Sequence, residues 1–456
     1  MPIEYYPYQK EDMPLIDKFG GRVLLSYEMG LGKTPTSLGW AMSRPDTRPI
    51  LVVCPASVKY NWDHEARRFF DLRASMCEGR DAPARVHHGF EVPPDLTIIN
   101  YDVLKDWTDY LRQRRFGTVI FDEGQYLSNA NSLRRKAAKK VAQRIPHCLI
   151  LSGTPFMNKP IDLWSLLNIL WPDEYPSEWS FAQRFCNPKW TPWGWNLSGG
   201  TNLDELNREL LAQGMIRRRK KDVLKDLPDK VFRIVPCDIS DREQYNFASN
   251  DFLGWLGKYA NHKVEKASKA EKVTRIGSLL RLTAKMKLQA QMEWANRFLA
   301  ETDEKLVIFA VHTKAIEAIQ RNLNTQVVVI NGEVPTKKRH PLVQQFNDDP
   351  ATRAFVGNYI AAGTGINLQA ASEIGLFEFP WRPGDVLQAV DRLHRIGQKK
   401  TVFVNFLVAG GTIEEDVVNL HHLKQARIST VLDGGSDGSD IDLYDELLRV
   451  LEGRLI

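Results

Sequence analysis

The sequence is poor in cysteine and has no long uninterrupted run of apolar residues. Its 456 residues include 5 cysteines, which are scattered and not closely paired. This pattern argues against a disulfide framework or a cysteine-based zinc site and indicates a reducing compartment. No apolar run approaches the roughly 20 residues that span a bilayer, and the N-terminus lacks the apolar segment of a secretory signal. We therefore expect no association with a membrane.

Neither the charge nor the composition departs strongly from that of an ordinary globular protein. Hydrophobic residues make up 43% of the chain, charged residues 26%, and the net charge is +5. The mild basic excess permits a polyanionic partner but does not identify one. The length favours two domains over a single core.

A glycine-rich segment near the N-terminus has the order expected of a phosphate-binding loop. Residues 28–34 follow a short apolar run and precede a predicted helix. Gly30 and Gly32 allow backbone N–H groups to turn toward a polyphosphate, and the helix N-terminus adds its dipole. We expect Lys33 to reach the β- and γ-phosphates and Thr34 to ligate Mg²⁺.

Two adjacent carboxylates end a later apolar strand. Asp122 and Glu123 follow the run at 119–121. Buried carboxylates are costly unless a cation or a reaction requires them. We expect Asp122 to hold Mg²⁺ through its water shell and Glu123 to orient and deprotonate the attacking water.

Three further polar residues have open interpretations. Gln9 lies ahead of the loop, and its amide could read an adenine edge, although a plain surface glutamine fits equally well. Ser57 and Lys59 follow the apolar strand at 50–55, where they could hold a nucleic-acid phosphate or simply face solvent.

The middle of the chain, from about residue 156 to 300, is helical and rich in tryptophan. Exposed tryptophans could stack on bases, but burial in a helical subdomain is favoured. The basic run at 215–224 is interpreted as a phosphate-contacting hinge, because Leu227 and Pro228 follow it. The tryptophans concerned are Trp164, Trp171, Trp179, Trp190, Trp193 and Trp195.

A second alternation of strands and helices begins near residue 305. Late in this half, Gln388, Arg392 and Arg395 occur at i, i+4 and i+7, which predicts that they share one helical face. Two arginines so placed could clamp the charge that develops on a γ-phosphate, supplied by one lobe to a nucleotide held by the other.

With these segments in order, the chain resembles helicase superfamily 2 and, within it, the Swi/Snf-type DNA translocases. The segment at 217–228 is most similar to that of the annealing-helicase branch. The matching stretches are residues 28–34, 55–62, 151–155, 363–368, 391–398 and 411–415.

The resemblance implies an α/β fold of two RecA-like, doubly wound parallel-sheet lobes with helical insertions. Lobe 1 is expected over 1–225, with a helical protrusion from about 156. Lobe 2 is expected over 226–456, with an insertion at about 240–300 and a C-terminal acidic linker and helix at 433–456.

The resemblance also assigns residues to ATP, Mg²⁺ and DNA, and two positions depart from the family pattern. Tyr27 occupies a usually acidic position, and Gln125 replaces the histidine that ends the acidic motif. By resemblance, lobe 2 contributes Gln388, Arg392 and Arg395 to turnover. ATP is assigned to Gln9, Glu28, Gly30, Gly32, Lys33, Thr34, Asp122 and Gly365, Mg²⁺ to Thr34 and Asp122, and DNA to Ser57, Lys59, Tyr101, Thr364 and Trp381.

The main hypothesis is a DNA-dependent ATPase that translocates on double-stranded DNA and remodels forks, branched DNA or DNA-bound proteins. The alternatives are a strand-separating helicase and an ATP-gated DNA clamp with weak turnover. ATP and Mg²⁺ are the expected cofactors, DNA is the expected partner, and the chain is expected to act as a monomer. The compact form favours a bacterial cytoplasm or a phage-infected cell, or the nucleus in a eukaryote.

Overall fold

The computed structural model describes residues 3–82, 94–153, 159–191, 194–197, 199–260, 269–362, 366–381, 383–420 and Leu447. The chain forms two compact units, which divide between Lys225 and Asp226. Thr364, Gly365, Trp193 and the predicted C-terminal linker and helix, apart from Leu447, lie outside the described residues.

The first unit is built on a parallel sheet with the strand order β3-β4-β2-β5-β6-β1-β9. A separate antiparallel hairpin consists of β7 and β8. The strands of the first unit are β1 Arg22–Tyr27, β2 Ile50–Cys54, β3 Ser75–Met76, β4 Leu96–Asn100, β5 Thr118–Phe121, β6 His147–Leu151, β7 Lys189–Thr191, β8 Gly194–Asn196 and β9 Met215–Arg218. Its helices are α1 Pro7–Lys18, α2 Lys33–Met42, α3 Lys59–Phe70, α4 Leu104–Gln113, α5 Leu133–Ala142, α6 Ile161–Leu170, α7 Glu178–Phe185, α8 Leu203–Gln213 and α9 Lys220–Val223.

Alternate residues of this sheet enter two different cores. Leu24 and Val53 pack with α4 to α8, whereas Val23 and Val52 pack with α1 to α3. Successive side chains of a strand point to opposite faces, so a sheet covered by helices on both faces requires apolar residues at every position. This explains why its strands are continuous apolar runs in the sequence.

The second unit repeats this design with the parallel order β10-β15-β14-β11-β13-β12. Val307 and Phe309 face one core, and Leu306 and Ile308 face the other. Its strands are β10 Lys230–Cys237, β11 Leu306–Ala310, β12 Gln326–Ile330, β13 Thr352–Asn358, β14 Glu373–Leu376 and β15 Val402–Ala409. Its helices are α10 Arg242–Ala260, α11 Lys269–Glu301, α12 Thr313–Asn322, α13 Thr336–Asp348, α14 Tyr359–Ala362 and α15 Pro383–Val390.

The predicted fold class of two doubly wound parallel-sheet lobes is confirmed. The basic run begins as the edge strand β9, Met215–Arg218, which is paired with β1, and the two units divide just after the run. Its role as a phosphate-contacting hinge stays a prediction. One local interpretation is wrong. The tryptophans do not share one core: Trp164 and Trp171 are buried, but Trp179, Trp190 and Trp195 are exposed.

Candidate nucleotide-binding site

The glycine-rich loop joins β1 to α2 at the carboxyl edge of the first sheet. Gly30 and Gly32 have positive φ angles of 83° and 75°, a conformation that other residues rarely adopt. A Cβ atom on Gly32 would lie 2.4 Å from the Gln9 side-chain nitrogen. The Lys33 ammonium donates to the Tyr27 carbonyl at 3.0 Å, and Thr34 lies in the first turn of α2. The loop therefore has the local order that a polyphosphate site requires.

The acidic pair follows β5 at the same edge of the sheet. Asp122 accepts from the Trp62 indole N–H at 2.8 Å and from the Glu123 backbone N–H at 2.9 Å. Burial and the charge of Glu123 raise the pKa of Asp122, whereas the Lys33 ammonium acts in the opposite direction. A buried carboxylate with a raised pKa gains most from a nearby cation.

These donors suit Mg²⁺ rather than a metal that needs several protein ligands. No group of three or more His, Cys, Asp or Glu side chains able to hold a metal occurs in the part of the chain that the structure describes. Mg²⁺ is commonly bound by one or two carboxylates together with substrate phosphates and water. Asp122 and the Thr34 hydroxyl would supply the protein ligands, and the metal would neutralise charge on the phosphates.

A hydrogen-bonded relay runs from Glu123 to the end of β6. The Gln125 amide donates to the Glu123 carboxylate at 2.7 Å and accepts from the Ser152 hydroxyl at 2.8 Å. β6 lies between β5 and β1 in the sheet, so Ser152 is placed between the acidic pair and the glycine-rich loop. Sequence reasoning did not assign a role to Ser152, although the small polar residues after a buried strand are a signal for one.

Gln125→Leu breaks this relay and should reduce the DNA stimulation of ATP turnover about tenfold, because a hydrogen bond to a charged group contributes about 1.5–3 kcal/mol. Turnover without DNA should change less, since Glu123 itself remains. Steady-state ATPase assays with and without duplex DNA measure both rates. Gln125→His keeps a side-chain donor at this position and serves as the matched control. An unchanged ratio of the two rates in the leucine variant would contradict a coupling role.

Gln9 packs against the glycine-rich loop. It is buried, its amide oxygen accepts from the Tyr6 backbone N–H at 2.9 Å, and its amide nitrogen donates to the Leu31 carbonyl at 3.3 Å. The Tyr8 hydroxyl also donates to the Leu31 carbonyl, at 2.9 Å. The start of α1 is therefore joined to the loop, and Gln9 is not a plain surface glutamine.

The departure at Tyr27 has a structural explanation. Tyr27 is fully buried, and its hydroxyl donates to Asp12 at 2.5 Å. Arg218 donates to both oxygens of the same carboxylate, at 2.6 and 2.9 Å. Burial, together with the neighbouring Asp12, raises the pKa of Tyr27, so the phenol stays protonated and donates. Tyr27 thus acts as a donor in a buried network with Asp12 and Arg218.

Glu28 faces β9 and α9. One of its oxygens accepts from the Lys220 backbone N–H at 2.8 Å, and the other lies 3.8 Å from Arg217. Its own backbone N–H donates to the Arg218 carbonyl at 2.9 Å. Glu28 therefore joins the glycine-rich loop to the edge strand, and the basic run lies at the same edge of the first sheet as that loop.

The predicted DNA contacts of the first unit lie at different depths. Ser57 is half-buried in the turn after β2, whereas Lys59 is buried and donates to the Cys77 carbonyl. Tyr101 is also buried, and its hydroxyl donates to the Asp122 carbonyl at 2.8 Å. Contacts from Lys59 and Tyr101 to DNA stay predictions, and they require these side chains to leave their present partners.

The prediction that Gln388, Arg392 and Arg395 share one helical face is wrong. The helix α15 contains Gln388 but ends at Val390, before Arg392 and Arg395. The backbone carbonyl of Arg392 accepts from the Leu368 N–H at 3.0 Å, and the backbone carbonyl of Leu393 accepts from the Gln398 side-chain amide at 3.3 Å. Both donors lie outside the helix. The three side chains thus lie on a helix and the turns that follow it.

Trp381 borders a cavity of about 290 Å³ in the second unit, together with Arg281 and His312. Glu378 accepts from the Val311 and His312 backbone N–H groups at 2.8 Å each, and its other oxygen lies 2.7 Å from the His312 ring. The hydrogen bond to Glu378 raises the pKa of His312, which favours the cationic ring. Trp381 therefore shares a cavity with two groups that can be cationic, Arg281 and His312, and with two carboxylates, Glu378 and Glu414.

A glycine-rich loop, an acidic strand end and a second parallel-sheet unit define a helicase-like ATPase. The chain belongs to the SNF2-related family: the SNF2-related domain matches residues 17–297, and the helicase conserved C-terminal domain matches residues 287–397. None of the described helices combines the length and apolar character needed to cross a membrane.

Similar proteins were found among characterised sequences and solved structures. The DNA annealing helicase and endonuclease ZRANB3 of Bos taurus is 29% identical over 94% of this chain and 40% of that protein. The Caenorhabditis elegans homolog of the SWI/SNF-related regulator of chromatin subfamily A-like protein 1 is 32% identical over 91% of this chain and 60% of that protein. The chain thus spans less than two thirds of these relatives. The Sulfolobus solfataricus SWI2/SNF2 ATPase core in complex with dsDNA is 26% identical, with a TM-score of 0.44, over 99% of this chain and 97% of that one.

Proposed function

We propose that this chain is a DNA-dependent ATPase that translocates on double-stranded DNA and remodels forks, branched DNA or DNA-bound proteins. The observation that carries the proposal is the convergence of the Lys33 loop, the Asp122–Glu123 pair and the Gln125–Ser152 relay at one sheet edge. Family membership and the names of the annealing-helicase relatives support DNA as the partner.

In this proposal the loop and Lys33 bind the phosphates of ATP, and Thr34 and Asp122 hold Mg²⁺. Glu123 accepts a proton from the attacking water, and Gln125 with Ser152 orients the Glu123 carboxylate. Gln9 recognises adenine, and Glu28 positions the loop. Gln388, Arg392 and Arg395 take part in turnover, with Gly365 also assigned to ATP.

The proposed DNA contacts are Ser57, Lys59, Tyr101, Thr364 and Trp381. Trp381 borders a cavity that contains Arg281 and the His312 ring, together with the carboxylates of Glu378 and Glu414. The chain acts as a monomer where DNA is found, either in a bacterial nucleoid or in a nucleus.

The test is a panel of ATPase assays with plain duplex, single-stranded, forked and four-way DNA. Duplex should stimulate turnover, and branched DNA should stimulate it further. Robust separation of a long plain duplex in a strand-displacement assay would instead favour the strand-separating helicase. Absence of turnover under every DNA condition would favour the ATP-gated clamp.

A further inference from the structure

Three tryptophans of the first unit form an exposed aromatic surface that the nucleotide site does not use. Trp190 on β7 and Trp195 on β8 are 68% and 52% exposed, and Trp179 on α7 is 39% exposed. Their rings pack edge to face, with centroid distances of 5.3 Å between Trp190 and Trp195 and 5.0 Å between Trp179 and Trp195. We call these three side chains the tryptophan surface.

The two hairpin tryptophans are directly opposite each other across the strands. The register pairs Trp190 with Trp195, so both side chains stand on the same face of the hairpin. The Thr191 hydroxyl donates to the Gly194 carbonyl at 2.7 Å and closes the far end of the pair. The rings are thus held in a fixed mutual geometry while much of their surface is open to solvent.

The hairpin is anchored to the core at its base. The Thr201 N–H donates to the Phe185 carbonyl at 3.0 Å, and the Asn202 amide donates to the Arg184 carbonyl at 2.9 Å. Phe185 is buried in the core of the first unit. A Cβ atom on Gly199 would lie 2.7 Å from the Cys186 carbonyl. The segment that follows β8 therefore packs closely against the segment that follows α7. The exposed rings are therefore carried on an anchored support.

The charge of the hairpin that carries Trp190 and Trp195 is compatible with a polyanion. The sequence from Asn187 to Asn202 contains one lysine, Lys189, and no aspartate or glutamate. Three acidic residues follow on α8: Glu205 and Glu209 are paired with Arg184, and Asp204 is exposed. A hairpin that combines exposed aromatic rings with a lysine and no carboxylate of its own is typical of surfaces on which nucleic-acid bases stack.

We propose that the tryptophan surface binds unpaired bases of DNA, as found at a fork or a branch, by stacking on Trp190 and Trp195. This inference rests on the proposed function and adds the class of DNA that the motor prefers. Base pairs in the interior of a duplex present only their edges in the grooves, so a plain duplex offers these rings a base face only at its two ends. The surface would therefore distinguish branched from plain duplex DNA without reading sequence.

The test is the double variant Trp190→Ala with Trp195→Ala. Its affinity for forked DNA and for labelled oligothymidine, measured by fluorescence anisotropy, should fall about tenfold or more, given the usual contribution of base stacking. ATP turnover stimulated by blunt duplex should stay within about twofold of wild type. Trp190→Phe with Trp195→Phe should retain most of the fork preference, because a smaller aromatic ring still stacks.

Phe247→Ala is the matched control, since Phe247 is a 78% exposed aromatic residue on α10 of the second unit. An unchanged preference for forked DNA in the double alanine variant would overturn the proposal and leave the surface to a protein partner. An equal loss of affinity for forked and blunt DNA would also overturn it. Absence of stimulation by any DNA in the wild type would instead refute the proposed function.

Discussion

Glu123→Gln should reduce ATP turnover by about 10²- to 10⁴-fold, which is the usual contribution of a general base. The substitution keeps the size and shape of the side chain but removes the group that accepts a proton from water. Glu123 occupies a left-handed backbone position, with φ 50°, and its carboxylate is held by Gln125 at 2.7 Å. The geometry thus presents one defined carboxylate, and no other side chain of the relay can replace it as a base.

ATP binding and DNA binding should survive this substitution. The loop, Lys33 and Asp122 are unchanged, and a glutamine at position 123 can still hydrogen-bond to Gln125. Steady-state turnover measures the loss, while a fluorescent ATP analogue and anisotropy with labelled duplex measure the two binding steps. Asp109→Asn, at an exposed carboxylate of α4, is the control and should turn over like wild type. Turnover within about twofold of wild type in Glu123→Gln would remove the assignment of the base.

The sequence predicted what depends on short segments. Buried parallel strands appear as continuous apolar runs, and polar residues directly after them lie at the sheet edge where ligands bind. This is why the loop around Lys33 and the pair Asp122 and Glu123 could be placed before the fold was known. Strand order could not be obtained in this way, so the position of Ser152 between them was not predicted.

Contacts between distant segments account for what could not be predicted from the sequence. The spacing of Gln388, Arg392 and Arg395 fits a helix. However, the Arg392 carbonyl accepts a hydrogen bond from the backbone N–H of Leu368, which lies in a distant segment of the chain. Arg218 belongs to a strand and binds Asp12, which is 206 residues away in the sequence. Composition also could not separate the buried tryptophans from the exposed ones, because both kinds occur in the same segment.

Lys287→Met should strongly lower the free energy of unfolding of the second unit. Lys287 and Glu414 form a buried ion pair at 2.7 Å, with the two side chains 0% and 2% exposed, and Lys287 also donates to the Leu407 carbonyl at 2.6 Å. The pair joins α11 to β15 and to the segment that follows it. Removing one member of a buried pair leaves an uncompensated charge, which costs about 3–5 kcal/mol. Thermal or urea unfolding should show a transition of the second unit displaced to a lower temperature or concentration.

The loss should also depend on pH. Burial raises the pKa of Glu414 and the Lys287 ammonium opposes that effect. Without Lys287 the pKa of Glu414 in the folded state should rise further above its unfolded value. A raised carboxylate pKa costs stability once the pH exceeds the unfolded value, so the deficit of the methionine variant should shrink as the pH falls toward that value.

A second substitution tests whether the charge causes the loss. Glu414→Gln added to Lys287→Met removes the remaining charge, and the amide oxygen can still accept from the Ala409 N–H, which the carboxylate accepts at 3.1 Å. We expect the double variant to recover at least half of the lost stability, since neutral replacements of buried pairs are often tolerated. Lys285→Met, at an exposed position of the same helix, should leave the transition unchanged. If the single and double variants unfold at the same point, packing of the lysine chain, and not its charge, holds α11 against β15.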